Sequence, residues 1–156
     1  MTTIDDVRNG RATRLQWPTT ILFIEDDETQ LRHMISALCR ALFPEHVIHA
    51  PDVSRGLLVL EAAVAPDDVP AAIVIDSDAC RQSTGSALEQ LKCHAVSRNL
   101  AMVVLAGPWQ ARVSEQLRGM ADGWMARPTD AGDYADVVNV IHAMWLTRSR
   151  SGPRRS

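Results

Sequence analysis

"ILFIEDDE", residues 21–28, sets a continuous apolar run directly against Glu25, Asp26 and Asp27. A short unbroken apolar run is the pattern of a strand covered on both faces. The acids then fall where such a strand ends. Working outward, Leu31, Met34, Ile35, Leu38 and Leu42 recur at helical spacing, and Pro44 closes the segment. "HVIHA" (46–50) reads as a second strand. Asp52 reads as the N-cap of a helix carrying Leu57, Leu58, Leu60 and Ala63. "AAIVI" (71–75) is a third strand that runs into Asp76, and a helix lies around "SALEQLKCHAV". "AMVVLA" (101–106) is a fourth strand, stopped by Gly107 and Pro108. A helix near 109–120 leads to a short strand at "GWMA" (123–126). A last helix after Asp130 carries Tyr134, Val137, Val138, Ile141, Met144 and Trp145. Five strand–helix units in strict alternation predict an open parallel sheet with helices on both faces, a three-layer αβα architecture.

Size and composition agree with one domain. The chain has 156 residues, 46 % hydrophobic and 22 % charged, with a formal net charge of −3. That balance is globular, and its sign gives no basic field for nucleic acid. Cys39, Cys80 and Cys93 are odd in number and unpaired in spacing, which argues against a disulfide framework and for a reducing cytoplasm. No apolar run approaches a membrane span, and the first residues lack a signal-peptide core. Residues 1–19 read as an N-terminal extension, 20–147 as the domain, and 148–156 as a basic flexible tail. Of the 16 basic residues only Lys92 is lysine.

In a sheet of this kind ligands bind beyond the carboxyl ends of the strands. The first strand delivers Glu25 and Asp26 there, the third Asp76 with Asp78 just after it, and the fifth Arg127. Carboxylates so crowded must hold protons or share a cation. Mg2+, which takes hard oxygen ligands, suits Glu25, Asp26 and Asp76. Asp27 reads instead as a helix cap.

These residues carry a resemblance to the receiver domain of bacterial two-component response regulators. "ILFIEDDE" resembles that family's first strand and acidic pair, "AIVID" its strand ending in the phosphoacceptor, and "WMARPTD" its Lys-Pro segment, with Arg127 in the lysine position. Trp124 falls at the switch aromatic. The resemblance implies a flavodoxin-like fold of strand order 2-1-3-4-5. It implies a phosphorelay in which Asp76 accepts a phosphoryl group from a sensor histidine kinase. It further implies Mg2+ held by Glu25, Asp26, Asp76 and the backbone carbonyl of Asp78. "IHAMWL", with Trp145, resembles the ending of small phytochrome-associated regulators, which implies a bacteriophytochrome as one candidate kinase. It also marks the face of the fourth helix, fifth strand and fifth helix as a homodimer surface.

Three positions depart from the family. Ala106 stands where a Thr or Ser hydroxyl is usual. Arg127 replaces lysine; a forked grip on phosphate is one account of it and the chain's general preference for arginine another. Cys80 stands where a proline is usual, either as a plain small residue or as a redox-sensitive thiol. The departures leave a second function open, a receiver-like module that binds partners whatever its phosphorylation state. "DSD" (76–78) admits a third, a haloacid-dehalogenase-like phosphatase, although its acids come in the wrong order for one. The reading adopted is a single-domain response regulator, not a turnover enzyme, with no output domain expected after residue 147.

Overall fold

The computed structural model describes residues 20–40, 46–65, 68–80, 83–107 and 111–150. The elements are β1 (Thr20–Ile24), α1 (Glu28–Arg40), β2 (His46–Ala50), α2 (Val53–Ala62), β3 (Ala72–Asp76), a 3-10 turn (Ser77–Cys80), α3 (Gly85–Ser97), β4 (Ala101–Ala106), α4 (Ala111–Met120), β5 (Gly123–Ala126) and α5 (Ala131–Arg150). All strand pairings are parallel, in the order β2-β1-β3-β4-β5. The order changes direction between β1 and β3, so the ends of those two strands open the crevice such a sheet offers.

The central strands are buried on both faces, which is why they read as unbroken apolar runs. Side chains alternate across a strand, and the core divides accordingly. Leu22, Ile24, Ile73, Ile75, Met102 and Val104 pack with Leu57, Leu60, Leu88, Leu91 and Leu117 of α2, α3 and α4. Ile21, Phe23, Val74, Val103 and Leu105 pack with Met34 and Leu38 of α1 and with Tyr134, Val137, Val138 and Ile141 of α5. The Tyr134 hydroxyl reaches from α5 to α1 to donate to Gln30 Oε1 at 2.7 Å. A buried phenol of this kind needs such a partner.

The helix ends follow local chemistry. Asp52 caps α2 by accepting the Arg55 amide at 2.8 Å, as its position predicts, and Thr84 caps α3 through the Ala87 amide at 3.0 Å. Asp27 accepts the Thr29 amide at 2.7 Å ahead of α1. Two cations close carboxyl ends elsewhere: Arg98 donates to the Leu60 and Ala63 carbonyls after α2, and Lys92 Nζ donates to the Met120 carbonyl at the end of α4.

Two apolar expectations are corrected. Ile35 and Leu58, counted with the core from their spacing, are 43 % and 63 % exposed. Each sits beside the buried stripe rather than in it, because a helix buries only an arc of its circumference. Leu42 lies outside the described residues. The helix α5 continues through Arg150, past the position where the tail was expected to begin. None of the described helices is long and apolar enough to cross a membrane.

Gly56 brings α2 close to the sheet: a Cβ there would stand 2.8 Å from Ile24 Cδ1 and 3.2 Å from Ile24 Cγ1. Glycine normally weakens a helix, but filling this space forces the wholly buried Ile24 to move. Gly56→Val is therefore expected to destabilise the fold by about 1–3 kcal/mol in urea unfolding, whereas Leu58→Ala should shift it by less than about 0.5 kcal/mol.

Candidate functional site

Asp76 ends the central strand β3 and is wholly buried. A lone carboxylate there would be costly, and it is not alone. Arg127, the first residue after β5, turns its guanidinium across the strand ends. Its Nε donates to Asp76 Oδ1 at 2.9 Å and its Nη2 to Asp76 Oδ2. The same Nη2 donates to Asp78 Oδ2. A planar fork with several donors grips Asp76 through two nitrogens and reaches Asp78 with one of them. Sequence reading assigned Arg127 to phosphate and Asp78 to a backbone carbonyl ligand. In the structure the two side chains are engaged with each other, and the crowding of acids is relieved in part by a cation the chain itself supplies.

Glu25, at the end of β1, is also buried, at 1 % exposure. Its Oε1 accepts the Asp27 amide at 3.1 Å, while Oε2 is buried without a hydrogen-bond partner. Burial foremost, and then the charge of Asp76, pushes the Glu25 carboxyl up to about 9. A proton on Glu25 turns a repelling acceptor into a donor toward Asp76. Burial likewise raises the Asp76 carboxyl, with the Arg127 bonds pulling against it. Asp26 stands exposed on the rim beside this pair.

One oxygen from each of Glu25, Asp26 and Asp76 lies within 4.8 Å of the others. Neighbouring oxygens of an octahedral Mg2+ shell at about 2.1 Å stand about 3.0 Å apart, so the three side chains would draw closer to close on an ion. The unpartnered Glu25 Oε2 is the donor such an ion would satisfy. The residues fit a hard divalent cation. Glu25 and Asp26 line a cavity of about 560 Å³ together with Asp27, Pro51, Asp52, Asp78, Ala79 and Arg127, while Asp76 itself is wholly buried.

The surroundings fix these positions. His49 of β2 donates from Nε2 to the Glu25 carbonyl, which sets its tautomer. Cys80 Sγ lies 3.6 Å from the Asp76 carbonyl, and burial pushes its thiol far up, so it stays a thiol and behaves as a small core residue. Ala106 ends β4 opposite Ala126 of β5 and offers the site only a methyl. Trp124 is half-buried against the α2–α4 side of the core, with the Arg118 guanidinium 5.0 Å from its ring centroid. The side chain of Trp145, and Trp109 altogether, lie outside the described residues. Sequence reading missed Ser77, which is wholly buried and whose Oγ accepts the Gly107 amide at 2.9 Å. The available signal was a hydroxyl set between Asp76 and Asp78 directly after an apolar run.

No family model matches the chain, and neither does any curated protein. Solved structures do resemble it. The phosphorylated cyanobacterial phytochrome response regulator RcpA shares 17 % identity over 84 % of this chain and 96 % of its own, with a TM-score of 0.65. A response regulator in red light signaling of R. palustris shares 18 % over 81 % and 93 %, at 0.65. The Mn2+-bound form of response regulator Rcp1 shares 17 % over 83 % and 95 %, at 0.62. The fold of this chain is that of response regulator receiver domains.

The raised Glu25 carboxyl has a sign in stability. Between pH 4.5 and about 9 the native state holds a proton that the unfolded chain has released. Stability is then fullest below pH 4.5 as far as this group is concerned, and falls with rising pH by up to about 1.4 kcal/mol per unit. Urea unfolding at pH 5.5 and 8.5 without divalent ions should show the fall, and Glu25→Gln should flatten it. Arg127→Ala strands Asp76 and Asp78, and should destabilise by about 3 kcal/mol at pH 7.5, the low end for a broken buried pair, because a quarter of the Arg127 side chain is exposed.

Proposed function

We propose that this chain is a response regulator receiver domain that accepts one phosphoryl group on Asp76 from a histidine kinase. The observation that carries the reading is the buried Asp76 carboxylate at the strand-order switch, with Glu25 and Asp26 beside it and the Arg127 guanidinium upon it. In the transfer an Asp76 oxygen attacks phosphorus. The new P–O bond forms as the P–N bond to the donor histidine breaks, and the imidazole nitrogen leaves with that electron pair and takes a proton from solvent.

Glu25, Asp26 and Asp76 would hold the divalent cation, which when bound offsets charge on the phosphoryl oxygens. Glu25 must shed its proton to serve as a ligand. Arg127 orients Asp76 before transfer and afterwards offers the same donors to a phosphoryl oxygen. The charged form of Asp76 is the nucleophile, and the Arg127 bonds favour that form against burial. No hydroxyl is available from Ala106, so the aspartyl phosphate lacks that contact.

The phytochrome and red-light regulators among the similar structures support a phytochrome-type kinase as donor. The Mn2+-bound structure supports a divalent cation, with Mg2+ the physiological choice. Output then passes through protein contacts in the cytoplasm, with homodimerisation on the face of α4, β5 and α5 as one route. No repeated turnover belongs to this reading, which sets it apart from a phosphatase.

One observation favours a second reading, a module that binds partners without phosphate. Arg127 already satisfies both Asp76 oxygens and reaches Asp78, leaving an acceptor that is neutralised from within.

Intact mass after incubation with Mg2+ and phosphoramidate separates the two. Wild type should gain one phosphoryl group and Asp76→Asn none. If both stay unmodified, the second reading replaces the first, and continuous release of phosphate from an ester would restore the phosphatase. Mn2+ titration gives a further check. Arg127→Lys keeps the charge but loses the fork, and should bind Mn2+ about threefold to tenfold more tightly, or about 0.6–1.4 kcal/mol.

A further inference from the structure

Ser77 directly follows Asp76, on the 3-10 turn, and has no exposed surface. A buried hydroxyl is retained where a polar group needs it. Here that group is the Gly107 amide, 30 residues away, which donates to Ser77 Oγ at 2.9 Å. The β3–β4 ladder ends with Asp76 opposite Leu105. Past that point a side-chain oxygen, in place of a strand carbonyl, takes the amide. Asp78 presses on the same glycine: a Cβ at Gly107 would stand 3.2 Å from both Asp78 carboxylate oxygens. Ser77 therefore holds Gly107 by a hydrogen bond, and Asp78 fills the space that a side chain at 107 would need.

We propose, building on the phosphoacceptor reading above, that the Ser77 hydroxyl is the positioning group that couples the state of Asp76 to Gly107 at the end of β4. A phosphoryl group brings charge and three acceptor oxygens against Arg127 and Asp78 at the end of β3. The 3-10 turn is covalently continuous with Asp76 and must adjust with it. A hydrogen bond weakens steeply with misalignment, so the Ser77–Gly107 bond changes with that adjustment. From Gly107 the route is short: Ala106 pairs with Ala126, and Val104 with Trp124. Ala106, with only a methyl, has no hydrogen-bonding group of its own on its side chain to report on Asp76.

The test separates uptake from response in wild type, Ser77→Ala and Ser77→Cys, the last nearly isosteric but with a poor sulfur acceptor. Intact mass after phosphoramidate and Mg2+ reads uptake. Amide exchange over residues 101–107 and 115–126 reads the response. All three proteins should take up phosphoryl on Asp76, while the exchange response falls at least about fivefold in both variants. A response equal to wild type in a variant that carries phosphoryl overturns the coupling and leaves the phosphoacceptor reading standing. A wild type that takes up no phosphoryl overturns both. Ser77→Cys keeps the test decisive if Ser77→Ala does not fold.

Discussion

The fork of Arg127 on Asp76 is the interaction on which the site depends. The sheet places a carboxylate at the end of its central strand, where no water can solvate it. Every neighbouring feature answers that charge. Glu25 is pushed toward its protonated form, by its own burial first and by that charge next, the guanidinium lies against both Asp76 oxygens, and Asp78 shares the same nitrogen. Removing the charge from Asp76 would make the rest of the arrangement unnecessary. Its persistence in a core is hard to rationalise by packing and is readily rationalised by chemistry done at that oxygen.

This arrangement also defines what any activation has to overcome. Arg127 holds Asp76 together with Asp78, and a divalent cation bound with Glu25 and Asp26 would have to compete for the same carboxylate. A site poised between an internal and an external cation responds to small changes in either. The two functional readings differ only in which of the two prevails under cellular conditions.

Much of the fold is legible in the residues. β2, β4 and β5 lie where their apolar runs lie, and Asp52 caps α2 because its place before the helix leaves its carboxylate nothing better to bind. The set Glu25, Asp26 and Asp76 is legible too, since each acid ends an apolar strand and the topology brings strand ends together. What could not be read is side-chain direction. Arg127 lies 51 residues from Asp76, and nothing local tells whether its fork turns inward. Leu58 and Ile35 sit next to buried stripes, where spacing alone cannot resolve which flank of a helix meets the sheet. Ser77 looks like a loop residue until the end of β4 is seen beside it.

The preference for arginine leaves one primary amine on any side chain, and Lys92 uses it to hold the end of α4 through the Met120 carbonyl. Acylation of that nitrogen would remove a charge and a structural bond in a single event. The loosened end lies four residues before Trp124, on the face assigned to output. Guanidinium groups are silent to such chemistry, so Lys92 is the one side-chain amine of the sequence through which acylation at nitrogen could act on the fold.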